Sequence, residues 1–210
     1  MSFYSVVDFI RENYPEYFGV KEYRADECVR IWKIEEEWGV FSNFYKTPLT
    51  VRGVDFACAE ELFQLMKFRD PRVIKQIRLG VTANGKRSAH VKMTAKSYEK
   101  AYRRLDWGMM ILDALKYCLV TKYEQSPLFR EKLAQSAGRY IVEDQTIFLK
   151  KHPDAWGVKL QPDGKTFVGP NLLGRLLMEL RDGGGKLGFT RELPSDAFAF
   201  MDVLSSVGRV

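Results

Sequence analysis

Two histidines (His90 and His152) and three cysteines (Cys28, Cys58 and Cys118) are all that the 210 residues offer of the side chains most used for metal binding and nucleophilic catalysis. The cysteines are odd in number, far apart and never form a CxxC pair. That pattern argues against a disulfide framework and a Cys/His zinc site, and predicts a reduced, cytoplasmic chain. No apolar run approaches the roughly 20 residues that a membrane span requires. The opening MSFYSVVDFIRENYPEYF carries acids early, with no basic flank or cleavage site, so no secretory signal is expected. The GxGxxG, GxxxxGK[ST], HExxH and GxSxG signatures are all absent. A Ser/His/Asp or Cys/His apparatus would have to use one of the two histidines, both in polar surroundings. The GGGK at 183–186 follows a helical pattern and lacks the closing Ser or Thr, so it reads as linker. No internal repeat or low-complexity tract is evident.

What is present suits a folded protein. Hydrophobic residues make up 46% and aromatics 13%, enough for a core. The net charge of +6 and pI near 9.1 favour polyanionic partners: nucleic acid, nucleotides or phosphorylated metabolites.

Hydrophobic periodicity places helices at 4–16, 58–69 and 70–80, and also at 106–124, 126–138, 170–181 and 194–207, and the second half of the basic segment 81–106 is helical in composition. Pro71 and Gly80 bracket one of them, Asp106 is the expected cap of the next, and Ser126-Pro127 and Gly138 punctuate another. Residues 28–34, 49–57 and 139–143 are strand-like, and Asn84-Gly85 and Asp163-Gly164 mark turns. The expected class is α+β, helix-dominated, a single domain with a few short strands. Residues 1–27 read as a helical extension, 28–182 as the main domain, and 183–210 as a linker with a C-terminal helix.

One segment stands out chemically. In FACAEELFQLMKF, residues 56–68, Glu60, Gln64 and Lys67 fall on one narrow stripe of an otherwise apolar helix. Such a stripe is either the wet side of a core helix or the lining of a cleft. Glu143 and Asp154 also lie beside apolar segments, and Trp38, Trp107 and Trp156 at element boundaries. Carboxylates can act as acids, bases or stabilisers of an oxocarbenium ion, and tryptophans can stack on a base or sugar.

Four blocks in order, GVFSNFYKTPLTVRGVDFACAEELFQLMKF, RLDWGMMILDALKYC, DAWG and GPNLLGRLLMELR, resemble the NADAR family across about residues 30–182. The family name refers to NAD and ADP-ribose. Its members include a bacterial N-glycosidase that destroys phosphoribosylated riboflavin intermediates and enzymes that remove ADP-ribose from guanine. The resemblance implies a NADAR-like fold and hydrolysis of the C1′–N bond of a phosphorylated ribosyl N-glycoside, with no metal and no cofactor. It implies Glu60 as the carboxylate facing C1′, with Asp154 or Glu143 as the second acid/base. Ser42, Asn43 and Phe44 match the FSNF loop, and Gln64 and Lys67 complete the helix motif. Gln64 and Asn43 would hold ribose hydroxyls, while Trp107 and Trp156 would clamp the base or sugar. Lys67, Arg104 and Arg175 would neutralise phosphate, and Asn171 with Gly174 matches the last motif. This chain departs from the pattern at Glu61, where histidine is common, in the spacing of Asp154 to Trp156, and in an expanded basic segment at 84–104. The basic charge tilts the expected substrate toward ADP-ribosylated guanine, in nucleotide or DNA. The alternatives are the riboflavin intermediates and, in another class, a non-catalytic module binding NAD, ADP-ribose or nucleic acid.

Overall fold

A computed structural model describes residues 6–84, 88–148 and 152–207. They fall into two units: the N-terminal stretch through Ser42 with Ser126–Gly188, and Asn43–Gln125 with the stretch from Phe189 onward.

The first unit holds helices α1 (Val6–Asn13) and α2 (Pro15–Phe18), and strands β1 (Lys21–Arg24) and β2 (Cys28–Ile31). From the second half of the chain come α7 (Pro127–Gln135), β5 (Tyr140–Glu143), β6 (Lys159–Leu160), β7 (Thr166–Gly169) and α8 (Leu172–Asp182). Strands β1, β7 and β6 form an antiparallel sheet in that order, and β2 pairs in parallel with β5, Cys28 opposite Tyr140 and Ile31 opposite Glu143. Tyr23, Cys28, Val142, Val158 and Phe167 pack into one buried cluster. Ser126 caps α7, its hydroxyl accepting from the Phe129 N–H at 3.2 Å. Helix α8 ends where Gly185 N–H reaches back to the Leu180 carbonyl, so the glycine run terminates a helix.

The second unit holds a hairpin, β3 (Leu49–Val51) and β4 (Val54–Phe56), then α3 (Ala59–Leu65), α4 (Pro71–Asn84), α5 (Ser88–Tyr102), α6 (Trp107–Gln125) and, from the C-terminal stretch, α9 (Phe200–Val207). The single strand read from 49–57 is in fact the hairpin. Arg52 (φ 50°) and Gly53 (φ 76°) both adopt positive φ, which turns the chain between two strands of three residues each. Helix α4 continues past Gly80 to Asn84, because an interior glycine costs only about 1 kcal/mol. Gly85, and with it the Asn84-Gly85 turn, lies outside the described residues. Asp106 spends its carboxylate on Arg104. The C-terminal stretch belongs here through side chains. Asp113 on α6 accepts from the Thr190 N–H (2.7 Å), the Thr190 hydroxyl (2.6 Å) and the Arg191 N–H (2.9 Å), while Phe198 packs on Tyr117 and Phe200 on Phe56. The described residues are thus helix-dominated α+β with short strands, and none of their helices is long and apolar enough to cross a membrane.

Candidate active site

Helix α3 starts without a side-chain cap from Cys58, yet its first turn is satisfied. The Glu60 N–H donates to the Asn43 carbonyl at 2.9 Å, and the Glu61 carboxylate accepts from the Ala57 N–H at 2.7 Å, in the manner of a capping-box acid. The other Glu61 oxygen meets Arg78 at 2.6 Å, so its charge is neutralised at the surface of α4. Of the two adjacent acids, Glu61 is therefore consumed in holding the helix.

Glu60 is not. Glu60, Gln64 and Lys67 are 5%, 2% and 8% exposed, so the polar stripe is buried along its whole length. The helix stops at Leu65, and Lys67 sits in the closing turn, its carbonyl accepting from the Arg104 N–H at 2.9 Å. Gln64 Nε2 donates to Glu60 Oε1 at 2.6 Å, and Lys67 Nζ pairs with Glu99 on α5 at 2.5 Å. Burial pushes the Glu60 carboxyl above its ordinary range. The charge of Lys92, the Gln64 hydrogen bond and the charge of Lys67 oppose that shift in decreasing order. Burial likewise lowers the Lys67 ammonium, against the pull of Glu99. Two buried acceptors in the same unit, Asn43 Oδ1 and Gln64 Oε1, have no hydrogen-bond partner. A buried carboxylate with unsatisfied acceptors close by in the chain is an unusual cost, and it suits a ligand that brings donors.

The neighbours of this stripe differ from expectation. Trp107 is 1% exposed, edge-on to Phe63 at 5.3 Å and beneath the Lys67 ammonium at 5.6 Å. It forms a wall for the lysine and has no open face to offer a base. Arg104 makes a bidentate pair with Asp106 (2.6 and 2.8 Å) and a further bond to Asp196 at 2.8 Å, so its guanidinium is spoken for by carboxylates and not presented to phosphate. Phe44 is half-buried beneath the Lys92 ammonium, 5.5 Å from its ring centre. Lys92 and Glu99 escaped the sequence reading. Their signal was there, a lysine and a glutamate seven residues apart in a basic segment whose second half is helical in composition, but neither was singled out for the site.

The remaining predicted residues lie in the first unit and are described there. Asn171 has φ 55°, and its amide donates to the Ile141 carbonyl at 2.8 Å and accepts from the Glu143 N–H at 3.1 Å. Its hydrogen-bonding capacity goes to strand β5, so it clasps α8 to the sheet instead of presenting to a substrate. Gly174 serves the same approach, since a Cβ there would lie 2.1 Å from the Ile141 oxygen. Arg175 donates to the carbonyls of Glu16 and Gly19, which ends α2; it tethers backbone in place of phosphate. Asp154 is exposed and closes a turn, its Oδ1 accepting from Trp156 N–H (3.0 Å) and Gln145 Nε2 (2.5 Å). Trp156, Glu143 and Ser42 are half-buried. Among the described residues no group of three His, Cys, Asp or Glu is placed to hold a metal ion.

The NADAR domain profile matches residues 30–183. The chain belongs to the NADAR family. Among NADAR relatives, the N-glycosidase YbiA of Shigella boydii serotype 4 (strain Sb227) is 27% identical over 165 residues, 78% of this chain and 92% of the relative. The riboflavin biosynthesis protein VVA0006 of Vibrio vulnificus (strain YJ016) is 26% identical over 172 residues, 81% of this chain but 42% of the longer relative. The NMR structure of Escherichia coli YbiA shares the fold, with a TM-score of 0.54 and 24% identity over 80% of this chain and 92% of that one.

Proposed function

We propose that this NADAR protein is an N-glycosidase that hydrolyses the C1′–N bond of a phosphorylated ribosyl N-glycoside. The observation that carries the reading is the buried Glu60 carboxylate, hydrogen-bonded by Gln64, in a unit with two buried acceptors that lack donors. Vicinal ribose hydroxyls are donors of the kind those acceptors call for, and a carboxylate is what a developing oxocarbenium ion requires. The names of the relatives support the same class of reaction.

In this mechanism Glu60 stabilises positive charge at C1′ or takes a proton from the attacking water. Water oxygen bonds to C1′, the C1′–N electron pair leaves with the base, and a proton reaches the departing nitrogen. Gln64 and Asn43 orient the sugar, and the charge of Lys67, held by Glu99, favours the ionised form of Glu60. Asp154 and Glu143 are the candidates for the second acid/base; Asp154→Asn and Glu143→Gln, assayed separately, identify the one whose loss removes an ionisation from the pH–rate profile.

For the leaving group, the +6 charge favours ADP-ribosylated guanine. A second reading, the phosphoribosyl intermediates of riboflavin synthesis, is favoured by the name of the Vibrio relative. Chromatographic detection of released base from each substrate, with wild type and Glu60→Gln, tests both. Release from one substrate, lost in the variant, is the expected result. Retention of bound ligand without release would make the protein a binding module instead.

A further inference from the structure

A phosphorylated riboside brings negative charge to a site that already buries a carboxylate, so some cation must offset the repulsion. The cations expected to do so from sequence are occupied. Arg104 is held by Asp106 and Asp196, Arg175 by backbone carbonyls, and Lys67 by Glu99.

The packing of α3 against α5 supplies another. Glu60 and Lys67 lie seven residues apart along one line, and Lys92 and Glu99 lie seven apart along the facing helix. Lys67 meets Glu99 at one end in a 2.5 Å pair, and Lys92 acts on Glu60 at the other. The two ends are not equivalent. Lys67 and Glu99 are in direct contact, whereas among the described residues Lys92 makes no hydrogen bond or ion pair. Its contact is the Phe44 ring at 5.5 Å, and its side chain is exposed. Phe44 directly follows Asn43, whose carbonyl receives the Glu60 N–H. Lys92 thus stands over the loop that borders Glu60, its ammonium 5.5 Å from the centre of the Phe44 ring and its side chain exposed.

We propose that Lys92 is the specificity-determining cation of this site, the residue that binds the phosphate of the ribosyl substrate and makes the enzyme select phosphorylated over unphosphorylated ribosides. The assignment rests on the N-glycosidase reading above, and it takes the role that the family resemblance implied for Lys67, Arg104 and Arg175. Lysine suits it as a compact, mobile point charge that can follow a phosphate on either side of the ring.

The test compares ribose 5-phosphate with ribose as calorimetric ligands of wild type, Lys92→Ala and Lys92→Arg, and then the KM for the hydrolysed substrate. Lys92→Ala is expected to weaken ribose 5-phosphate about tenfold or more, the order expected for a lost charge-assisted bond, and to leave ribose unchanged. Lys92→Arg restores most of the loss, and in turnover the change falls on KM and not on kcat. Equal loss for both sugars, or no loss for ribose 5-phosphate, overturns the proposal. A wild type that binds ribose 5-phosphate but releases no base from any substrate removes the N-glycosidase reading while the Lys92 assignment stands as a binding property. A wild type that binds neither sugar removes both.

Discussion

Helices α3 and α8 both carry polar residues of the family pattern on largely buried surfaces, yet they dispose of them in opposite ways. At the start of α8, Asn171 bonds to the Ile141 carbonyl and the Glu143 N–H, and Arg175 donates to the carbonyls of Glu16 and Gly19. On α3, Glu61 is spent in the same way on Ala57 and Arg78, but Glu60 and Gln64 bond chiefly to each other, and Gln64 keeps an unpaired acceptor. Polar residues of a shared motif can therefore serve architecture or chemistry, and the distinction lies in whether their hydrogen-bonding capacity is already used.

The sharpest break in this comparison comes from Glu60→Gln and Asn171→Ala. Glu60→Gln is expected to lower turnover by at least about 100-fold, the low end for a catalytic acid or base, with folding intact. Its stability should not fall. The Glu60 carboxyl is raised by burial, so its ionised form weakens the fold progressively as pH rises above the unfolded value, and a neutral amide removes that dependence. Thermal melts of the two proteins across pH 4–8, as a set of about five points, check the sign. Asn171→Ala should do the reverse. It is expected to cost about 2–3 kcal/mol in denaturant unfolding, from two lost bonds and two stranded backbone groups, while kcat of the folded protein changes by less than the Glu60 effect.

Lys122 gives an intermediate effect on stability. It is fully buried on α6, and burial lowers its ammonium to about 7. The folded pKa is depressed below the unfolded one, so the penalty is complete below about 7 and fades as pH rises toward the ordinary lysine value of 10.5. Lys122→Met is expected to compare best with wild type at neutral pH, any gain shrinking in alkaline melts as the lysine penalty fades. A gain independent of pH would show that packing alone is responsible. The smallest effect concerns catalysis. The acid limb of kcat/KM should lie above the ordinary glutamate value of 4.5, and Lys92→Ala should move it further up, since the lysine charge favours the ionised carboxylate. A limb unmoved by that substitution would separate Lys92 from Glu60.

Local signals carried much of the architecture. Helices α6, α7 and α8 follow from apolar periodicity and, for α7, from punctuation at Ser126-Pro127, because those signals act within a turn of the residues that carry them. Strands β1, β6 and β7 gave no comparable signal. They are two to four residues long, and β1 pairs with a strand more than a hundred residues away. The hairpin at Arg52-Gly53 was missed because an arginine in the left-handed region is not a turn signature. The C-terminal helix was drawn too long, since Asp196 and Phe198 earn their place through Arg104 and Tyr117 instead of through helix formation.

The sequence by itself determined the family, the helix-rich class and the stripe of Glu60, Gln64 and Lys67, since these depend on residue order and on the helical period. Only the tertiary structure decided that the stripe is buried, that Arg104, Asn171 and Arg175 are engaged in holding the fold, that Glu99 pairs with Lys67, and that Lys92 lies over Phe44. The reason is physical. Whether a charge or an amide has capacity to offer a ligand depends on partners brought from distant positions, and no local pattern in the chain encodes them.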